Sequence, residues 1–120
     1  MYGLGELESA VMAALWSQDS AMRVRDVMGA MESPRPLAYT TVMTVLDNLH
    51  SKQWVTRERV GRAYRYRPRL SKADAVTEAL RGVLEQSDDA EAVLLHFAQS
   101  TSDGESDALR RGLRRRKRRE

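Results

Sequence analysis

The feature that most restricts the fold is a change of hydrophobic period between residues 37 and 69. From Tyr39 to Lys52, Val42, Val45, Leu46 and Leu49 recur at i, i+3, i+4 and i+7, which lines them along one face of a helix. Directly beyond, Trp54 to Val60 and Ala63 to Arg69 are β-prone runs around Gly61-Arg62, a short glycine turn suited to a hairpin. The apolar helix face must therefore be buried against the rest of the chain. Its other side carries Thr40, Thr41, Met43, Thr44, Asp47 and Asn48, without the long ion-pairing side chains that usually solvate an exposed helix. Such a surface can press against a flat partner.

Charge narrows the kind of partner. Between Lys52 and Arg69 the cations are Lys52, Arg57, Arg59, Arg62, Arg65, Arg67 and Arg69, opposed only by Glu58. A thin, non-ionic helix face beside a basic ribbon matches a DNA groove, because a helix fits the major groove and arginine or lysine neutralises the flanking phosphates. A core helix with a solubilising hairpin has a similar composition, but it gives no reason to gather the positive excess on one hairpin. The segment reads as a helix-turn-helix with a wing. Thr40, Thr41, Met43, Thr44 and Asp47 are expected to face bases, since threonine methyls and methionine can meet the thymine methyl while hydroxyls reach base edges. Thr40 and Thr41 have an alternative task, capping the helix start. Tyr39, Lys52, Arg59, Arg62 and Arg65 are assigned to DNA phosphates.

The preceding residues supply the support. Leu4, Leu7, Val11, Met12, Leu15 and Trp16 trace a helical stripe through residues 5 to 17. Val24, Val27, Met28 and Met31 trace a second one, stopped by Ser33-Pro34-Arg35-Pro36 because proline lacks an amide and disfavours helix before it. Residues 34 to 38 then form a slightly open turn. In the ribbon, Tyr64 and Tyr66 share one face and are expected to pack on the helices, while Arg65 and Arg67 share the other. The predicted fold is mainly α with a small β-hairpin: a winged helix-turn-helix over residues 1–70, then a helical dimerisation region with a basic tail over 71–120.

In that second region, Ser71-Lys72-Ala73-Asp74 fits a capping box ahead of a helix from Lys72 to Gln86. Ser87-Asp88-Asp89 breaks it, residues 90 to 99 form a fifth helix, and Ser102 to Glu105 offers a further capping box before Leu109 and Leu113. Roughly 50 residues of short amphipathic helices bury too little apolar area alone. Val76, Leu80, Val83, Leu84, Val93, Leu94, Phe97, Leu109 and Leu113 are therefore expected to pair with the same segment of a second chain, a twofold homodimer. This suits DNA reading, because one short helix contacts few base pairs and such proteins bind twofold-symmetric sites. The stretch from Asp74 to Asp107 is acidic, and residues 110 to 119 then hold eight cations and no acid. That tail either binds polyanions without sequence preference or stays disordered and solvated.

Several classes are excluded or disfavoured. No apolar run approaches the ~20 residues of a membrane span, and the start, with Glu6 and Glu8, lacks the form of a signal peptide. A cytoplasmic location without membrane insertion is expected. Without cysteine there is no disulfide and no thiolate metal site. His50 and His96 stand far apart, and neither sits in a motif with a nucleophile or a metal ligand. An enzyme is not expected, nor a cofactor or a metal. A winged-helix module for protein partners would carry a neutral wing and an acidic or apolar third helix, unlike this one.

The run Leu37-Ala38-Tyr39-Thr40-Thr41-Val42-Met43-Thr44-Val45-Leu46, with Gly61-Arg62-Ala63-Tyr64-Arg65-Tyr66 and the opening Leu4-Gly5-Glu6-Leu7-Glu8, Val11-Met12 and Leu15-Trp16, resembles the penicillinase repressor (BlaI/MecI) family. The resemblance spans nearly the whole chain. It implies a winged-helix repressor with a helical dimerisation tail, acting on a TACA/TGTA-like dyad and controlling β-lactamase or cell-wall stress genes. It further implies a membrane sensor metalloprotease that cuts the dimerisation region at an Asn-Phe bond, whose matching positions here are His96-Phe97. A second branch of the family resembles copper-responsive repressors whose C-terminal cysteines bind metal, and with no cysteine in this chain copper sensing by that route is excluded.

Overall fold

The computed structural model describes residues 3–32 and 35–119, so the first half of the expected Ser33-Pro34-Arg35-Pro36 stop lies outside the described residues. The element order is α1 (Glu6–Trp16), α2 (Val24–Ala30), α3 (Tyr39–Ser51), β1 (Val55–Val60), β2 (Ala63–Pro68), α4 (Lys72–Glu85), α5 (Ala90–Ser100) and α6 (Asp103–Arg119). This is the mainly α architecture with one hairpin that the change of period predicts.

Each early helix buries the centre of the stripe read from its spacing, while Leu7, Trp16, Met28 and Met31 are only partly buried. Leu4, Val11, Met12 and Leu15 join Val24 and Val27 of α2 and Val42, Val45, Leu46 and Leu49 of α3 in one core, with Leu7, Trp16 and Trp54 packed at its margin. Trp16 and Trp54 meet edge to face, ring centroids 6.3 Å apart. The Trp16 Nε1–H donates to the Leu70 carbonyl at 3.0 Å, tying the exit of the hairpin to α1.

The passage from helix to ribbon is abrupt because α3 closes on a left-handed residue. Gln53 has φ 64°, its amide donates to the His50 carbonyl, and the Trp54 amide donates to the Leu49 carbonyl at 2.9 Å. This paired closure satisfies carbonyls that a helix end otherwise leaves open. The strands then pair antiparallel in the register Val55↔Pro68 through Val60↔Ala63. Gly61 takes φ +66° at the tip and Arg62 does not, the pattern of a two-residue type II′ turn, which glycine enters without steric cost.

Two features were not expected. Met22, between α1 and α2, pairs with Tyr66 through reciprocal amide-to-carbonyl bonds of 2.9 and 2.8 Å and adds a one-residue strand beside β2. The two tyrosines also part company. Tyr66 is 1% exposed in the core, whereas Tyr64, nearer the tip, is 39% exposed because the core ends beneath Tyr66.

The chain packs as two units, residues 1–79 and 80–120. The first takes in the start of α4, where Ala75 is buried and Arg69 Nη2 meets Glu78 Oε2 at 2.8 Å. In the second, Asp89 accepts the Ala92 amide to open α5, and Ser102 and Glu105 cap α6 reciprocally. Instead of a disordered tail, α6 runs to Arg119. Arginine and lysine are good helix formers, and cations suit a helix C-terminus.

Candidate nucleic-acid interface

With Val42, Val45, Leu46 and Leu49 turned into the core, α3 exposes Thr40, Thr41, Met43, Thr44, Asp47 and Asn48 on its outer side, with Tyr39 at its start. The helix is capped at Ala38 without any side-chain hydrogen bond. Thr40 and Thr41 therefore do not serve as caps, which settles the alternative task in the negative. Among the described residues no side-chain hydrogen bond engages the hydroxyls of Thr40, Thr41 or Thr44. They stand open beside the Met43 thioether, a set of groups able to meet base edges and thymine methyls.

The hairpin register decides which cations share a face. Arg57 pairs with Tyr66 and Arg59 with Tyr64, so these side chains lie on the face that turns Tyr66 into the core. Arg65 stands opposite Glu58 on the other face, and its charge helps hold the Asp26 carboxyl low behind the main partner, Arg23. Arg62 occupies the tip. Of Arg59, Arg62, Arg65 and Arg67, none is in an ion pair among the described residues; Arg59 Nε donates to the Gly61 carbonyl at 3.2 Å.

Arg57, absent from the sequence-derived set, is the residue that joins wing to helix. Its Nη1 reaches Asp47 Oδ1 at 3.0 Å, and its guanidinium lies 4.2 Å from the centroid of the Tyr64 ring. Burial pushes the Tyr66 phenol up, opposed by Arg57 beside it. Alternation along β1 puts Arg57 on the inner face, but its meeting with a residue ten positions earlier depends on the sharp exit after Lys52. Asp47, expected at a base, is thus engaged by the wing.

Lys52 is held elsewhere. Both Glu8 oxygens lie 2.9 Å from its Nζ, and Glu8 Oε1 also accepts the Gly5 amide at 3.1 Å. A phosphate contact by Lys52 would compete with this clamp. In residues 80–120, Leu80, Val83, Val93, Leu94, Phe97, Leu109 and Leu113 are exposed, and His96-Phe97 lies within α5 with both side chains exposed. Val76 and Leu84 of α4 are half-buried. Among the described residues no helix is long and apolar enough to cross a membrane, and no group of metal-ligating side chains comes together.

A three-helix core, a two-stranded basic wing and an open helix face joined to that wing by Arg57 define a winged-helix DNA-binding regulator. The penicillinase repressor family model matches residues 4–115. The transcriptional regulator BlaI of Mycobacterium tuberculosis is 43% identical over 113 residues, 92% of this chain and 82% of that protein. The chain belongs to the penicillinase repressor family, and it is a transcriptional repressor rather than an enzyme. Among solved structures, a MarR family protein from Bacillus stearothermophilus shares the fold at TM-score 0.50 and 20% identity, over 98% of this chain and 76% of that one. The solution structure of monomeric Bacillus licheniformis BlaI in complex with the blaP half-operator is 22% identical, over 59% of this chain and 85% of that one, at TM-score 0.48.

Proposed function

We propose that the protein represses transcription as a homodimer in the cytoplasm, each subunit placing α3 in the major groove of one half of a TACA/TGTA-like dyad. The observation that carries this is the α3 outer face, where Thr40, Thr41, Met43 and Thr44 are exposed without a side-chain hydrogen bond among the described residues and the wing reaches the same helix through Arg57 and Asp47. Those four residues read bases, and Asp47 does so while held by Arg57. Tyr39, Arg59, Arg62 and Arg65 contact phosphates, with Lys52 joining only if it leaves Glu8. Assembly uses the exposed apolar side chains of 80–120, together with Val76 and Leu84, because no side chain described in that unit is buried within one chain. The genes controlled are those for β-lactamase or cell-wall stress. A membrane sensor metalloprotease relieves repression by cutting the dimerisation region, where His96-Phe97 stands at the positions of the family's Asn-Phe bond and lacks its asparagine.

Two substitutions test the reading on a dyad duplex and a random duplex. Thr44→Ala removes a mid-helix hydroxyl with no structural partner, so it should cost about 1–3 kcal/mol on the dyad and little on random DNA. Arg62→Ala should weaken both equally and lower the salt slope by about one unit. An unchanged dyad-to-random ratio for Thr44→Ala means that α3 does not read bases at this position.

A further inference from the structure

The last helix carries a charge pattern that neither the wing nor assembly uses. From Arg110 to Arg119 there are eight cations and no acid, on a segment that is helical throughout. Arg110 Nη1 pairs with Asp107 Oδ1 at 2.7 Å, whereas Arg111, Arg114, Arg115 and Arg116 are exposed with no ion pair among the described residues. At roughly 100° per residue, Arg111, Arg114 and Arg115 fall within one arc of about 100°, and Leu109 and Leu113 lie on the opposite side. That arc lies opposite the two leucines, with Asp107 at its N-terminal end engaged by Arg110, while Arg116 falls on the leucine side.

That face is unfavourable in isolation. Arg111 and Arg115 stand at i,i+4, as do Arg110 and Arg114, and like charges at that spacing weaken a helix. The partial charge of the helix C-terminus favours cations but cannot balance eight of them. A polyanion lying along the face removes the repulsion, and the guanidinium fork matches phosphate oxygens. A lipid surface suits it poorly, since two leucines make too short an apolar stripe to anchor a helix. Duplex DNA is the polyanion at hand. Once the winged unit is bound, α6 is joined to the same duplex through the chain and meets its phosphates at an effective concentration set by that linkage.

We propose that the Arg111, Arg114 and Arg115 face of α6 is a second DNA site, a sequence-independent grip on phosphates beyond those held by the wing. It rests on the reading of the chain as an operator-binding repressor. The test uses the full chain carrying Arg111→Gln, Arg114→Gln and Arg115→Gln, since glutamine keeps helix propensity. A second variant carries lysine at the same three positions. Affinity for dyad and random duplexes is measured from 50 to 200 mM NaCl, with sedimentation to follow assembly.

The glutamine variant should lose affinity for both duplexes, keep the dyad-to-random ratio, and lower the salt slope by about 2.7 for each bound chain, at ~0.9 per phosphate contact. Its loss of binding across that salt range then shrinks by roughly 40-fold. The lysine variant should recover most of the slope. An unchanged slope in the glutamine variant overturns the proposal, as does a lowered affinity explained by loss of the dimer. So does wild-type binding to phosphatidylglycerol vesicles that the glutamine variant loses while its DNA binding stays intact. A wild-type chain that does not prefer the dyad over random DNA strikes the operator reading instead, while the slope still decides the α6 contact.

Discussion

Glu8 is the carboxylate that holds Lys52, the residue closing the C-terminal end of α3. The Lys52 ammonium, followed by the Gly5 amide, holds its carboxyl below the usual glutamate range. With the folded value below the unfolded one, the contribution of this clamp to stability is complete above the unfolded value and is lost as pH falls through the folded one. The stability difference between wild type and Glu8→Gln should therefore be constant above about pH 5.5 and shrink below about pH 4.5. Urea melts at a series of pH values check this, and a difference that does not shrink at all as pH falls assigns it to packing. At this scale the sequence was partly legible. The exposed residues of α3 follow from spacing, because a helix turns each position by a constant angle. Lys52 shows only as one more cation, since its partner lies 44 residues away and meets it only after α1 and α3 pack.

Arg57 makes the wing and the third helix move together. It grips Asp47, stacks on Tyr64 and lies beside the buried Tyr66, so the hairpin is braced against α3 along its inner face. Arg57→Ala should lower stability slightly, through the loss of one solvent-screened ion pair and one cation–π contact. It should also lower affinity for every duplex, because the freed Asp47 carboxylate then faces phosphates. Adding Asp47→Asn should recover part of that affinity, and a double-variant cycle without coupling would refute the brace. The hairpin itself was readable from its alternation and its glycine. The one-residue strand at Met22 was not, because a single extended residue leaves no periodicity. Tyr64 was placed on the correct face, yet alternation cannot say where along a strand the core stops.

Basic groups gather in the wing and in α6, and the unit that holds α6 also exposes Leu80, Val83, Val93, Leu94, Phe97, Leu109 and Leu113. A chain ending at Ala79 keeps Ala75 and the Arg69–Glu78 pair, so it should fold as a monomer. It should lose tight dyad binding, since a dimer supplies its second half-site at an effective concentration near millimolar. Sedimentation decides, and a dimeric 1–79 chain would place the interface in the winged unit. Packing runs on past residue 70, where composition first changes, because one methyl at Ala75 leaves little trace in a hydrophobic pattern. The Trp16–Trp54 pair, with Trp16 bonded to Leu70, has a consequence for how the molecule can be watched. These are its two tryptophans, and residues 80–120 have none. Intrinsic fluorescence is blind to that second unit, whereas far-ultraviolet dichroism sees every helix. Melting curves from the two signals will coincide if the units unfold as one cooperative body and separate if they do not.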